Sequence, residues 1–357
     1  MRSRVAAIVV AIAATSIMAG CGSSPPALVS LGLGISGRKG LHAVPYAYGP
    51  AKVAALAFDS RNRLWLATAD YTDQGHDGLY LVAKRHAKPV EVVAHLHTPL
   101  GLVWKGNTLY VASTGRVDAF SDLRGTTFAT RRKIVSLPAH VGESNNLVLA
   151  PNGRLLLGIS APCDHCTPKS KYSGAIVSFR PDGSDLRVYA GGIRAPVGLA
   201  FFPGTENLLV SMNQRDDLGS RTPGDWLSVV NGGDDWKFPN CYGQGGTVCA
   251  GVPQPVSVLD KHAAAAGVAI VTGQLGSAIG TSALVAEWAK NTVLQVPLDK
   301  SGTKSRGKAT PLLTGIANPV AMTVTPLDSL LVGNWTTGMI YEISATNRVF
   351  TLRTNNP

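Results

Sequence analysis

The cysteines are the residues whose spacing most directly limits the chemistry of this 357-residue chain. Four of the five form two local pairs, Cys163 with Cys166 and Cys241 with Cys249. Outside the cytoplasm, local pairs of this kind most simply form disulfides that fix loops. A zinc site that includes the C-x-x-C of Cys163 and Cys166 is the alternative. Covalent haem attachment is not indicated, because Thr167 rather than histidine follows Cys166.

The fifth cysteine, Cys21, ends a segment with the features of an export signal. Arg2 and Arg4 give a cationic start, residues 5–17 are uncharged and largely apolar, and small residues precede Cys21. The apolar run is shorter than the roughly 20 residues that a membrane-spanning helix needs. The segment resembles a bacterial lipoprotein signal, which implies a signal peptide over 1–20 and lipidation of Cys21. A secretory signal cut elsewhere is the alternative.

That interpretation predicts an exported protein, lipid-anchored to the outer face of the cell membrane. Residues 22–26 are glycine, serine and proline, a composition typical of a flexible tether. We therefore assign residues 21–44 to a linker and expect the folded domain to begin at 45.

One strand pattern recurs along the rest of the chain. An apolar strand, a turn rich in glycine, proline, asparagine or aspartate, and a second apolar strand begin near positions 53, 99, 146, 196, 266 and 319. Most of these intervals match the length of a propeller blade, about 40–50 residues. No amphipathic helical pattern separates the strands, which disfavours a parallel α/β fold. The sequence therefore predicts an all-β protein, a six-bladed β-propeller with mostly four-stranded antiparallel blades over 45–350.

The longest interval contains an insertion over 213–262, where we look first for a site because long loops on a rigid scaffold often carry function. Three motifs lie in or beside it: G-I-R-A-P-V-G-L over 192–199, D-D-L-G over 216–219 and G-D-D-W-K-F-P-N-C-Y-G over 233–243. They resemble motifs of the soluble quinoprotein glucose and sorbosone dehydrogenases, namely G-L-R-N-P-x-G-L, D-D-L-G and Y-G-W-P-x-C-Y-G. Residues 146–153 and the 163–166 cysteine loop resemble the same family, and the likeness spans roughly 45–345.

The resemblance implies a propeller that holds pyrroloquinoline quinone (PQQ) and calcium over its channel and oxidises a sugar or aldose hydroxyl. Such an oxidation removes a proton from oxygen while hydride leaves carbon, so a base must lie near an electrophile. The three PQQ carboxylates require arginine or lysine, and a calcium ion held by oxygens polarises the quinone carbonyl. The sequence leaves the electron acceptor unassigned.

Four positions match cofactor-binding positions of that family. Arg194 corresponds to the arginine of G-L-R-N, although the asparagine that follows it is Ala195 here. Trp288 and Lys290 lie where the family has G-S-W-N-R, and lysine keeps the charge but loses the planar guanidinium. His262 matches the histidine of H-S-A-x-x-G and is expected to order the channel wall.

The metal and base positions follow from the same comparison. Asp225 matches the acidic position near calcium, with Asp216 and Asp217 close by in sequence, and solvated loop acids are the alternative interpretation. The family places its histidine five residues before the leucine that opens a blade strand, where this chain has Gly142. His140, two residues upstream, is therefore the candidate catalytic base.

These departures support a second hypothesis, a non-catalytic lipid-anchored propeller that binds a glycan or a protein partner. A calcium-dependent sugar lactonase on the same fold is a third, but it needs a well-placed early glutamate, and the first glutamate is Glu91. The net charge of +11 comes from dispersed basic residues, with runs only at 131–133 and 300–308. Nothing resembles the aromatic-interleaved basic surface of a nucleic-acid binder, whereas attraction to anionic lipids or polymers is consistent with the charge.

Overall fold

Twenty-six β-strands make up almost all of the regular structure in the computed structural model, which describes residues 26–72, 74–243 and 247–346. The predicted signal peptide and the predicted lipidation site Cys21 lie outside these residues. Helical structure in the described part is confined to short 3-10 turns, at Gly219–Arg221, Thr247–Cys249 and Trp288–Lys290. None of the described residues belongs to a helix with the length and apolar character needed to cross a membrane.

Each blade is an antiparallel sheet whose first strand lies innermost. Blade 1 contains β4 (Val53–Phe58), β5 (Leu64–Thr68), β6 (Asp77–Val82) and β7 (Val90–Leu96). Blade 2 contains β8 (Gly101–Lys105), β9 (Thr108–Ser113), β10 (Arg116–Arg124) and β11 (Thr127–Ser136). Blade 3 contains β12 (Ser144–Leu149), β13 (Leu155–Ile159), β14 (Ala175–Phe179) and β15 (Arg187–Ala190).

The remaining blades follow the same order. Blade 4 contains β16 (Ala195–Phe201), β17 (Leu208–Asn213), β18 (Gly224–Val230) and β19 (Ser257–Lys261). Blade 5 contains β20 (Ala265–Thr272), β21 (Thr281–Glu287), β22 (Thr292–Pro297) and β23 (Thr310–Thr314), and is extended by β2 (Ile35–Arg38) and β1 (Leu28–Gly32). Blade 6 contains β24 (Pro319–Val324), β25 (Leu330–Asn334), β26 (Met339–Ala345) and β3 (Leu41–Tyr48). The predicted six-bladed propeller is confirmed.

The two ends of the described chain close the ring. The inner strands contact one another in sequence from β4 to β24, and β24 contacts β4 again. Strand β3 pairs antiparallel with β26, so an N-terminal strand completes the C-terminal blade. The inner strands approach closely enough to require glycine. A Cβ on Gly198 would lie 2.2 Å from the Ala266 carbonyl oxygen, and one on Gly267 would lie 2.4 Å from that of Val320.

The linker predicted over 21–44 is wrong from Leu28 onward, where the chain forms β1, β2 and the start of β3. Strands β1 and β2 form a hairpin, and β2 pairs with β23 at the outer edge of blade 5. Ile35 of this hairpin is 1% exposed and belongs to the largest apolar cluster. The glycines at 32 and 34 provide the positive φ angles of the hairpin turn. Gly32 and Gly34 therefore belong to a tight turn, and the tether predicted for residues 22–26 lies, apart from Pro26, outside the described residues.

Both predicted disulfides are present, Cys163–Cys166 and Cys241–Cys249. Their sulfur atoms are thus not available as zinc ligands. Across the described ranges, no group of three or more histidine, cysteine, aspartate or glutamate side chains is placed to hold a metal ion.

Candidate functional site

The predicted site residues all lie at one face of the propeller, which we call the site face. In an antiparallel blade, the loop entering the first strand and the loop between the second and third strands reach the same edge. Those two loop types, with the strand ends beside them, carry every candidate: His140, Arg194, Asp216, Asp217, Asp225, His262, Trp288 and Lys290.

A cavity of about 840 Å³ opens on the site face over blades 1 to 4. We call it the main cavity. Its charged or titratable side chains include His140 and Glu143 from the β11–β12 loop, Asp164 from the β13–β14 loop, and Arg194 just before β16. Two of the predicted residues, His140 and Arg194, are thus brought together. The other six do not line this cavity.

Arg194, which the sequence predicts to bind the cofactor, lies in the wall of the main cavity. Its Nη2 lies 2.5 Å from Oδ1 of Asp164, which is held inside the Cys163–Cys166 disulfide loop. Among the described residues, Arg194 Nε and Asn213 Oδ1 are buried without a hydrogen-bond partner, and both residues line the main cavity. Buried polar groups are normally paired, so this cavity wall offers one donor and one acceptor to a polar ligand or an ordered water.

His262 and Asp216 form part of the support for this wall. His262 Nδ1 lies 3.0 Å from Asp216 Oδ1, and the Asp216 backbone N–H donates to Asp164 Oδ2 at 2.9 Å. Arg194, Asp164, Asp216 and His262 therefore form a continuous chain of polar contacts across blades 3, 4 and 5. His262 is connected to the cavity wall through these contacts and does not itself line the cavity.

The three predicted calcium ligands have different partners. Asp217 accepts two hydrogen bonds from Arg215, each 2.6 Å long, and these hold its pKa below the ordinary value. Asp225 is 3% exposed and accepts backbone N–H groups from Gln214 at 2.8 Å and Ala265 at 3.0 Å. Burial raises its pKa to about 6. With Asp216 paired to His262, the predicted three-aspartate metal cluster is not formed.

Trp288 and Lys290 also depart from the prediction. The Trp288 ring is 5.9 Å from that of Trp335, which is 6.3 Å from that of Tyr71 in the main cavity wall. Trp288 thus reaches the cavity only through other aromatic rings. Lys290 is exposed and does not border the cavity. Lys52, whose Nζ lies 3.5 Å from the Trp335 ring centroid, is the cation that accompanies this aromatic group. It precedes the first inner strand, and no motif marks it.

Gly142 occupies the position where the resembling family has histidine. Its φ is +102°, and a Cβ there would lie 2.0 Å from the Ser160 carbonyl oxygen, so no side chain fits. His140 and Glu143, on either side of it, are both exposed and line the main cavity. The sequence comparison identified His140 as the candidate base. It missed Glu143, because the family has a histidine, not a glutamate, as its base.

Glu287, at the end of β21, is a second missed residue. It is 0% exposed, its Oε1 accepts the Asp260 N–H at 3.2 Å, and its Oε2 is buried without a partner in the described chain. Burial raises the pKa of Glu287 to about 8. It lies beside the joint between blades 4 and 5 that carries Asp225 and the His262 loop.

No protein-family model matches the sequence, and no curated protein matches it. Solved structures do. The holo PQQ domain of a pyranose dehydrogenase from Coprinopsis cinerea aligns with a TM-score of 0.71 at 15% identity, covering 87% of this chain and 97% of that one. The PQQ-bound aldose sugar dehydrogenase from Streptomyces coelicolor gives 0.67 at 18% identity, over 86% and 99%.

A calcium structure of a carbohydrate-active enzyme from Trichoderma reesei gives a TM-score of 0.67 at 18% identity, over 90% of this chain and 98% of that one. At these identities the likeness establishes the fold. The chain therefore has the six-bladed propeller fold seen in solved structures of PQQ-dependent sugar dehydrogenases, the family that its motifs resemble.

Proposed function

We propose that this chain is an exported dehydrogenase that uses PQQ and calcium to oxidise a hydroxyl group of a sugar or aldose. The observation that carries the proposal is the buried, unpaired Nε of Arg194 in the wall of the main cavity. It lies in a fold whose solved neighbours are described as PQQ-bound and calcium-bound carbohydrate enzymes.

Arg194 in the main cavity fits one carboxylate of PQQ. The cavity volume of about 840 Å³ falls within the range of small-molecule sites, roughly 300–1,000 Å³. The Arg194 guanidinium would hold a carboxylate by charge-assisted hydrogen bonds. The calcium part of the proposal rests on the neighbours and not on Asp216, Asp217 and Asp225, whose side chains do not converge.

Bound PQQ would supply a two-electron acceptor for the hydride released from the hydroxyl-bearing carbon. In this oxidation the C–H and O–H bonds break, a carbonyl forms, and the hydroxyl proton must pass to a base. His140 and Glu143 are the residues of the main cavity that can accept it, through an imidazole nitrogen or a carboxylate oxygen. Arg194 and its partner Asp164 orient the ligand beside them.

Cofactor binding is tested with purified protein, PQQ and calcium, by following cofactor absorbance and dye reduction across a panel of aldoses. Arg194→Gln should weaken PQQ binding at least tenfold, because it removes a charge-assisted contact. Arg180→Gln is the matched control, since Arg180 is an exposed arginine that does not line the cavity. Absence of both binding and dye reduction would contradict the proposal and favour a non-catalytic propeller that binds a glycan or protein partner.

The base is tested by comparing His140→Ala with Glu143→Gln in the PQQ-loaded protein. Loss of the base should lower kcat by about 100-fold or more, while PQQ affinity stays within a few-fold of the wild type. The substitution of the other residue should have a much smaller effect on kcat. If neither variant lowers kcat by tenfold, the base does not lie on the β11–β12 loop.

The proposal includes a lipid anchor on Cys21, supported by the cationic start, the apolar run and the small residues before this cysteine. In bacterial cells the wild-type protein should incorporate labelled fatty acid and sediment with membranes. Cys21→Ser should do neither while its propeller domain still folds. Equal membrane association of the two proteins would argue against lipidation at this position.

A further inference from the structure

A second cavity lies between the outer parts of blades 1 and 2 and has a volume of about 570 Å³. We call it the basic cavity. Four basic side chains line it together with two hydroxyl groups: His95, His97, Arg116, Arg131, Ser113 and Thr114. Thr114 also lines the main cavity, so the two cavities adjoin on the site face. Neither the resemblance nor the proposed function uses these basic residues.

The charge of the basic cavity is positive without any protonation of histidine. Arg116 and Arg131 both pair with Asp118, the latter at 2.9 Å, and Asp118 is 1% exposed behind them. Two guanidinium groups thus share one carboxylate. Among the described residues, no aspartate or glutamate lines the cavity itself. The excess positive charge favours an anion.

Two hydrogen-bond donors in this wall lack partners within the described chain. Ser113 is 2% exposed, yet its Oγ has no hydrogen-bond partner, and Arg116 Nε is also buried without one. Leaving buried donors unsatisfied costs stability, and native proteins rarely do so without a ligand or water. A hydroxyl and a guanidinium N–H beside a second arginine form a set of donors that matches the oxygens of a carboxylate, phosphate or sulfate.

We propose that the basic cavity is an oxyanion subsite for an acidic saccharide, holding its carboxylate, phosphate or sulfate while a neighbouring sugar unit occupies the main cavity. The shared wall at Thr114 is what connects the two parts of such a ligand. The oxidation of that sugar rests on the proposed function, whereas its binding does not. Within the proposed function, the preferred substrate is therefore an anionic oligosaccharide.

Binding is measured by calorimetry on the full cofactor-free chain with digalacturonate and with its neutral counterpart, galactobiose. Digalacturonate should bind at least tenfold more tightly, and Arg116→Gln should remove most of that difference. Ser113→Ala, which keeps both ion pairs to Asp118, should weaken digalacturonate binding severalfold without lowering the melting temperature. Arg132→Gln is the charge-matched control on the neighbouring strand β11, because Arg132 is exposed and does not line the cavity.

Equal binding of the two disaccharides would overturn the subsite, as would an equal loss in Arg116→Gln and Arg132→Gln, which would indicate a general charge effect. Anionic phospholipid vesicles form a further arm. If Arg116→Gln abolishes vesicle binding while the disaccharides do not differ, the cavity contacts lipid and the saccharide proposal is wrong.

Dye reduction separates this inference from the proposed function. In the PQQ-loaded protein, Arg116→Gln should raise KM for digalacturonate about tenfold and leave KM for galactobiose unchanged. If dye reduction fails with every sugar but the binding difference persists, the subsite stands and the dehydrogenase proposal falls. If both disaccharides are oxidised with equal KM and bind equally, the dehydrogenase stands and the subsite falls.

Discussion

Replacing Glu287 with glutamine measures how strongly a buried carboxylic acid couples pH to the stability of the joint between blades 4 and 5. Glu287 is 0% exposed, and burial raises its pKa from 4.5 to about 8 in the folded protein. Asp260 and Asp225, both acidic, add to this rise. Glutamine has almost the same shape as the protonated acid, and its amide oxygen can accept the Asp260 N–H that Oε1 now accepts.

The sign of the effect follows from proton binding. Between pH 4.5 and 8 the folded protein keeps a proton on Glu287 that the unfolded chain has released, so stability falls as pH rises through this window. Each pH unit there costs about 1.4 kcal/mol. Glutamine does not titrate and avoids this loss. The free energy of unfolding of Glu287→Gln, relative to the wild type, should therefore increase by about 2–4 kcal/mol between pH 5 and pH 8.

Urea unfolding of both proteins at pH 5 and pH 8 measures this difference directly. Glu206→Gln is the control, because Glu206 is exposed on the β16–β17 loop, at the opposite edge of the blades from Glu287. It removes one carboxylate of the same kind and should show no comparable increase. A Glu287→Gln advantage that is the same at both pH values, or that shrinks at pH 8, would refute the reasoning that burial keeps this acid protonated.

Three further substitutions test the fold around the site. Asp225→Ala leaves two buried N–H groups without an acceptor and should lower the free energy of unfolding by about 2–4 kcal/mol in urea titrations at pH 7; an unchanged value would contradict its anchoring role. Gly142→Ala should lower the melting temperature by several degrees, because its φ of +102° and the nearby Ser160 carbonyl exclude a Cβ. The double variant Cys241→Ser/Cys249→Ser should have a free energy of unfolding lower by roughly 2–3 kcal/mol, because the disulfide closes a short loop and so lowers the entropy of the unfolded chain. Intact mass after alkylation should show that these two cysteines are not alkylated in the wild type.

The sequence predicts the centre of the propeller better than its edges. The inner strands are apolar and repeat with a regular spacing, and the structure begins them at or within two residues of the predicted positions for Val53, Gly101 and Pro319. The pairing of β3 with β26 joins segments about 300 residues apart. No local pattern encodes such a contact, because an outer strand needs only one apolar face and one partner. The predicted linker was therefore extended over residues that form strands.

The candidate site also divides into features that the sequence predicts and features that it does not. The resemblance selected Arg194, and the structure places this residue in the wall of the main cavity, just before the strand β16 that the same motif predicts. It could not show that Asp164 pairs with this arginine, because the contact crosses from one blade loop to the next. Asp217 pairs with Arg215, which lies two residues before it in the sequence. The spacing of the two residues was the only sequence signal for this pairing. Burial of Asp225 and Glu287 depends on the packing of neighbouring blades and has no local signature.

The charges in the main cavity suggest a role for calcium that does not depend on Asp216, Asp217 and Asp225, each of which has a partner of its own. Among the described residues, Arg194 is the one permanently charged cation in its lining; it pairs with Asp164, and Glu143 lines the same cavity. A ligand with three carboxylates would add to an already acidic surrounding, so binding should require a cation that arrives with it. We therefore expect PQQ affinity to fall at least tenfold when calcium is chelated. Asp164→Asn removes one of the opposing charges and should reduce that dependence on calcium. PQQ titrations of both proteins with calcium or with chelator compare the two ratios, and identical ratios would show that charge balance in this cavity does not set the calcium requirement.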